Sequence, residues 1–209
     1  MSLTRKILLV VMFLSMPFRF AYGQDWTTQM EGIENKVPRI RMMKAEATSP
    51  GTCSGVFINA TTGYVLTAAH CVDGTPPPHL TVAGREAQIV RVNRILDLAV
   101  LRVDPKGTDT TVLLAERTPP PGTPVAVAGY GFGSEVLFPQ FGHIALPLKD
   151  KERSYINVDL LVGDSGGAVI DRNGNLVGIT SAVLHMGPMH IGISVPIEVI
   201  WDYVKQYLP

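Results

Sequence analysis

The chain has 209 residues, and 18 Lys+Arg balance 18 Asp+Glu to a formal net charge of zero. With 46% hydrophobic and only 17% charged residues it is not a disordered polymer. Without a basic surplus it also lacks the electrostatic footprint of a nucleic-acid binder.

That neutrality is a sum over unlike segments. Residues 1–23 carry Arg5, Lys6 and Arg19 and no acid, and the other 186 residues hold 15 basic against 18 acidic side chains, a net −3. Arg5 and Lys6 precede an apolar run, Ile7–Met16, which Pro17 interrupts, and Ala21-Tyr22-Gly23 offers small residues before a cut ahead of Gln24. A charged start, a short apolar middle and a small-x-small end describe a secretory signal peptide. The run is far short of the roughly 20 residues that a bilayer span needs. An uncleaved anchor would have to carry Arg19 into lipid. The expectation is a signal peptide over 1–23 and a secreted or periplasmic body that does not stay in the membrane.

From Val37 onward, short apolar runs alternate with Gly, Pro and Asn. Gly55–Ile58 and Tyr64–Thr67 read as strands joined by Asn59–Gly63, and Ala87–Val92 and Leu98–Val103 continue the series. Thr75-Pro76-Pro77-Pro78 reads as a stiff surface loop. Thr118–Pro124, with four prolines, reads as a connection that divides the chain into 24–117 and 125–209. Val125–Ala128, Ala168–Ile170 and Leu176–Thr180 are further strands. Asp171–Asn175 is a hairpin turn, because Asn-Gly tolerates the positive φ such turns need. Pro196 can start a helix on which Ile200, Tyr203, Val204 and Tyr207 recur at helical spacing. Many short strands without intervening helices favour a sandwich or barrel over a parallel sheet.

Three segments could carry chemistry: Thr67-Ala68-Ala69-His70-Cys71, Asp97–Leu101 and Gly163-Asp164-Ser165-Gly166-Gly167. Singly, a histidine after a strand or an aspartate before one is an ordinary structural residue, and a glycine-rich turn is only a turn. Together, in the order His, Asp, Ser, they form the set that nucleophilic acyl transfer requires. A serine hydroxyl is a poor nucleophile until a base takes its proton. Histidine suits that task because its ordinary pKa lies near working pH. A carboxylate then fixes the imidazole tautomer and stabilises the imidazolium as it forms. Cys53 and Cys71 are the only cysteines. Taken alone, they can be a disulfide or two buried thiols.

The ensemble resembles the chymotrypsin-like (trypsin-fold) serine peptidases, especially compact bacterial and HtrA-type members. The resemblance runs from Thr52 to Leu208 and rests on Gly51–Gly55, Leu66–Cys71, Asp97–Leu101, Gly129-Tyr130-Gly131, Gly163–Gly167, Val177-Gly178-Ile179 and Gly192–Pro196. It implies an all-β fold of two six-stranded antiparallel β-barrels with a C-terminal α-helix and a cleft between the barrels. His70, Asp97 and Ser165 would be the triad, and the N–H groups of Gly163 and Ser165 the oxyanion hole. Cys53 and Cys71 match the pair that in animal members bridges the loop carrying the histidine.

The resemblance also bears on specificity. Asp159 falls where trypsin-like members place the acid that binds Lys or Arg. Val183 falls on a pocket wall that those members leave to glycine, and Gly192 is expected opposite it, keeping space open. Ser181, Ala182 and Val183 are expected to offer backbone groups to an extended substrate. Asp164 could be satisfied by local backbone, by an arginine, or by a new terminus at Gln24. His79, His143, His185 and His190 are irregularly spaced, so no metal is expected, nor any other cofactor.

The resulting expectation is a monomeric secreted serine endopeptidase acting on protein or peptide, too short for an appended PDZ domain. The rival is a catalytically silent protease-fold binding protein. An esterase would set its Gly-x-Ser-x-Gly elbow between a strand and a helix, whereas the run after Gly163–Gly167, Ala168–Ile170, reads as a strand.

Overall fold

The computed structural model describes residues 25–45, 47–74, 76–147, 152–186 and 189–209, without the side chains of residues 147 and 185–190. The expected signal segment, Thr75, and the side chains of His185 and His190 lie outside the described residues. A short helix, α1 (Thr27–Met30), is followed by thirteen strand segments and a closing helix, α2 (Ile197–Val204). No helix among the described residues is long and apolar enough to cross a membrane.

The first sheet contains β1 (Arg39–Met43), β2 (Gly51–Ser54), β3 (Val56–Asn59), β4 (Tyr64–Thr67), β5 (His79–Val82), β6 (Arg85–Asn93) and β7 (Leu98–Val103). Its strand order is β2-β1-β5-β6-β7-β4-β3. The two ends of that order, β2 and β3, are neighbours in sequence with only Gly55 between them. They are one bent strand that serves both edges, so the sheet closes through the covalent chain. Counted that way it has the expected six strands. All its ladders are antiparallel.

The second sheet is a closed antiparallel barrel in the order β10-β13-β12-β11-β8-β9. Its strands are β8 (Pro124–Ala128), β9 (Gln140–Pro147), β10 (Ser154–Asn157), β11 (Ala168–Ile170), β12 (Leu176–Met186) and β13 (Met189–Pro196). The Asp171–Asn175 hairpin forms as expected: the Asp171 carboxylate accepts the N–H groups of Asn173 and Asn175, and Gly174 has φ +78°. Every strand of this barrel has two neighbours, although β11 covers β12 only as far as Ile179.

Three apolar clusters hold the molecule. One lies inside the first sheet, around Ile40, Phe57, Leu80 and Leu101, and one inside the second, around Val125, Ile144, Ile156 and Val169. The third joins them. It combines Val56, Leu66, Leu98 and Val100 from the first sheet with Ala126, Ile170, Leu176 and Ile179 from the second, and with Ile197, Ile200, Tyr203 and Val204 of α2. The helical spacing read from Pro196 onward is therefore the face that α2 buries. Tyr207 lies beyond the helix and packs its ring on Tyr64, 5.0 Å between centroids. A shared core of this kind fixes one sheet against the other, which a site assembled from both requires.

Candidate active site

His70 sits on a 3₁₀ turn, Ala69–Cys71, that begins where β4 ends. Ala68 and Ala69 are buried, so the turn lies flat on the core and lifts the imidazole outward, leaving its side chain 45% exposed. Asp97 ends the β6–β7 hairpin loop. The Asn93 side-chain oxygen Oδ1 shapes that loop by accepting the N–H groups of Ile95 and Leu96. Asp97 has φ +56°, a left-handed conformation that aspartate tolerates better than most residues.

The two side chains meet. Both carboxylate oxygens of Asp97 lie 3.0 Å from His70 Nδ1, and Oδ1 also accepts the His70 backbone N–H at 3.1 Å. The remaining capacity of Oδ2 goes to the Ser181 hydroxyl, which donates at 2.5 Å. Hydrogen bonding to Asp97, helped by its charge, raises the His70 imidazole above the ordinary 6.5 despite partial burial. Burial acts to raise the Asp97 carboxyl, but the bonds from His70 and Ser181 outweigh it and hold Asp97 below the usual carboxylate range. Nδ1 is thereby kept as the donor to Asp97, which leaves Nε2 as the basic nitrogen.

Ser165 lies in the turn between β10 and β11, and the glycines around it are required by close approach. A Cβ on Gly163 would stand 2.2 Å from the Tyr130 carbonyl, and φ there is +108°. A Cβ on Gly166 would stand 2.2 Å from Thr67 Oγ1 and 2.3 Å from the Ser54 carbonyl, so the turn presses directly on the first sheet. Among the described residues, neither the Gly163 nor the Ser165 N–H donates to a protein acceptor. Asp164 is fully buried within the turn. One oxygen accepts Leu161 N–H at 2.7 Å and Gln140 Nε2 at 2.5 Å, and Oδ1 has no partner among the described residues. Local backbone and a glutamine thus serve Asp164, rather than an arginine. Burial, only partly opposed by these bonds, raises its carboxyl above the usual range.

Cys53 and Cys71 are joined in a disulfide with Cα atoms 6.2 Å apart. The bridge ties β2 to the turn that carries His70, and Cys71 Sγ lies 3.7 Å from the Ser165 carbonyl. His70, Cys53 and Cys71 place possible ligand atoms within 4.8 Å of one another. With the two sulfurs bonded to each other, no thiolate is left there to hold a metal.

His70 and Ser165 share a cleft of about 400 Å³ whose walls include Thr52, Leu160–Asp164 and Thr180–Val183. A larger groove of about 550 Å³, between Trp26 and Phe141, has no serine or cysteine on its walls. The residues expected at the specificity pocket are placed unevenly. Asp159 is exposed and is not among the residues of the cleft wall, where its neighbour Leu160 lies instead. Gly192 does not hold space open either. A Cβ there would meet Leu160 at 3.0 Å and Ile156 at 2.8 Å, so Leu160 already lies against it. Val183 lies on the cleft wall. Ser181 and Ala182 do too, although the Ser181 hydroxyl is taken by Asp97.

Two β-barrels meeting at a cleft that holds a histidine–carboxylate pair and a glycine-flanked serine define the two-barrel, chymotrypsin-like class. The profile of the Trypsin-like peptidase domain matches residues 53–179, and the chain belongs to this family. It is 28% identical to a probable periplasmic serine protease do/HhoA-like of Haemophilus influenzae, over 91% of this chain and 42% of that protein. It is 31% identical to the periplasmic pH-dependent serine endoprotease DegQ of Escherichia coli, over 68% of this chain and 34% of the relative. The chain thus spans less than half the length of these curated relatives. The fold is similar to that of the Rv3671c protease of M. tuberculosis in its active form, with TM-score 0.74 and 22% identity over 85% of this chain and 82% of that one.

Proposed function

We propose that the chain is an exported serine endopeptidase that cleaves peptide bonds through an acyl-enzyme on Ser165. The observation that carries this reading is the His70–Asp97 pair opening onto the same cleft as Ser165 and two uncommitted backbone N–H groups. In this reading His70 Nε2 takes the proton from Ser165 Oγ as the hydroxyl attacks the scissile carbonyl. Asp97, held by Ser181, stabilises the imidazolium. The N–H groups of Gly163 and Ser165 receive the developing oxyanion, a contribution typically worth about 10²–10³ in turnover per donor. His70 then returns the proton to the leaving amine, and water activated by the same imidazole releases the acyl group. The periplasmic relatives and the apolar amino-terminal run support export.

The cleft also supports a substrate class. Leu160, Val162 and Val183 give it apolar walls, Asp159 is not on them, and the carboxylate of Asp164 is fully buried and bonded to Leu161 N–H and Gln140. A shallow apolar pocket favours small aliphatic side chains before the cut bond. Residues 181–183 of β12 pair with β13 on one side only, since β11 pairs with β12 no further than Ile179. The free side offers a ladder edge to an extended peptide.

The test is labelling with a fluorophosphonate probe, followed by cleavage of a peptide library, with Ser165→Ala alongside. Labelling of the wild type alone and cleavage after small aliphatic residues are expected. An unlabelled wild type would sink the reading in favour of a silent scaffold.

A further inference from the structure

The Ser165 turn is held from behind by a residue of the other sheet. Ser54, the last residue of β2, is fully buried, and all of its polar groups are used. Its hydroxyl donates to the Gly163 carbonyl at 2.8 Å and accepts Tyr130 N–H at 2.9 Å. Its backbone N–H donates to the Ser165 carbonyl at 2.8 Å, and its carbonyl accepts the Thr67 hydroxyl at 2.7 Å. One residue therefore grips both Gly163 and Ser165 by their carbonyls, across 109 positions of sequence in the case of its side chain.

We propose that Ser54 is the positioning residue of the oxyanion turn, an inference that rests on the peptidase reading above. Peptide planes are rigid, so holding a carbonyl fixes the plane and with it the neighbouring dihedrals. Gly163, at φ +108°, has no Cβ to restrict it, and the planes on either side of it turn over more readily than those of any other residue type. The Ser54 hydroxyl limits that freedom by holding the carbonyl of the plane that follows Gly163, whose Asp164 N–H donates to the Leu161 carbonyl at 3.0 Å. The plane between Asp164 and Ser165 is fixed separately. The Asp164 carbonyl accepts the Thr180 hydroxyl and Gly167 N–H, which turns Ser165 N–H the opposite way, away from the core. The Ser54 backbone N–H then anchors the Ser165 carbonyl beyond it. Of these tethers only the Ser54 hydroxyl holds the Gly163 carbonyl. Ser54 also follows Cys53, whose partner Cys71 adjoins His70, so one strand end sets the base and the oxyanion donors in register.

The test compares wild type, Ser165→Ala, Ser54→Ala and Ser54→Thr, with Ser54→Gly as a second hydroxyl deletion should the alanine variant not fold. Each is assayed well below its own unfolding midpoint for kcat and KM on a peptide amide. Each is also titrated with a peptide boronic acid, whose tetrahedral adduct on a serine places an oxygen where the oxyanion forms. Deleting the hydroxyl is expected to lower kcat about ten-fold, the scale of one buried hydrogen bond, with KM changed by less than about two-fold. Boronate affinity should fall by the same factor as kcat, and Ser54→Thr should recover most of both. A folded deletion variant with wild-type kcat and boronate affinity overturns the role of Ser54, as does a fall confined to KM. A wild type that neither hydrolyses peptides nor labels with the fluorophosphonate removes the peptidase reading itself, and this role with it.

Discussion

Asp97 contacts His70 through both carboxylate oxygens and through the backbone N–H, so the imidazole is oriented and not merely attracted. The raised His70 value has two consequences of opposite sign. The base must be neutral to act, so the acid limb of kcat/KM should lie above the ordinary 6.5. Charged His70 is favoured by the fold, so its contribution to stability is complete below 6.5 and is lost as pH rises through the raised value. Asp97, held low, contributes above its ordinary 3.8 and loses that contribution as pH falls through the lowered value. A pH–rate profile and melting points across the same range check both signs. Asp97→Asn should move the acid limb downward and cost about 10⁴ in kcat, as when the tautomer is lost in a comparable triad. That His70, Asp97 and Ser165 come together at one cleft was legible from sequence because each sits in a short motif of the residue types the proposed chemistry needs. The hydroxyl partners of Ser54 and Ser181 were not, since they lie 109 and 84 positions away and only the assembled fold brings them close. That Asp159 lies off the cleft wall was not legible for a related reason. Counting back from Ser165 locates a backbone position but not the direction its side chain takes.

Strand signals were read correctly where burial is continuous and local. β7 at Leu98–Val103 and β11 at Ala168–Ile170 form over the expected residues, and β12 runs on from Thr180 to Met186. The strands that escaped notice are β1, β2, β5, β9, β10 and β13. β9, for instance, contains Gly142 and Pro147 and is strand only because β8 and β10 pair with it. In such segments the ladder partner, not the intrinsic preference, decides the conformation. At this scale the disulfide makes the most direct prediction. Its Cys53–Cys71 loop spans 18 residues, and closing a loop of that length stabilises a fold by about 3 kcal/mol. Reduction, or Cys53→Ser with Cys71→Ser, should lower the melting temperature by roughly 6–12 °C. Because the bridge adjoins His70, turnover should fall too. Calorimetry and peptide hydrolysis with and without reductant check the two effects.

Across the whole molecule the two sheets share the apolar cluster that α2 completes, so their relative placement is a core property rather than a surface contact. Ile200 is fully buried at that junction. Ile200→Ala should cost about 2–5 kcal/mol and lower the stability of both sheets in a single transition. Two separate calorimetric peaks would count against a common core. The helix also reaches the site. The Tyr203 hydroxyl, pushed up to about 12 by burial and therefore a firm donor, bonds the carbonyl of Leu98, the residue after Asp97. Arg91 in turn packs over the Tyr203 ring and donates to the Tyr203 carbonyl. Trp201 and Glu198 hold the Ala115–Thr118 connection from the same helix. These late contacts impose an order in time on a chain that emerges amino end first. His70 and Asp97 are synthesised long before Ser181 and Tyr203, the residues that steady Asp97 and its neighbour. The bonds that steady Asp97 and its neighbour can therefore form only once residues 181 and 203 have been made.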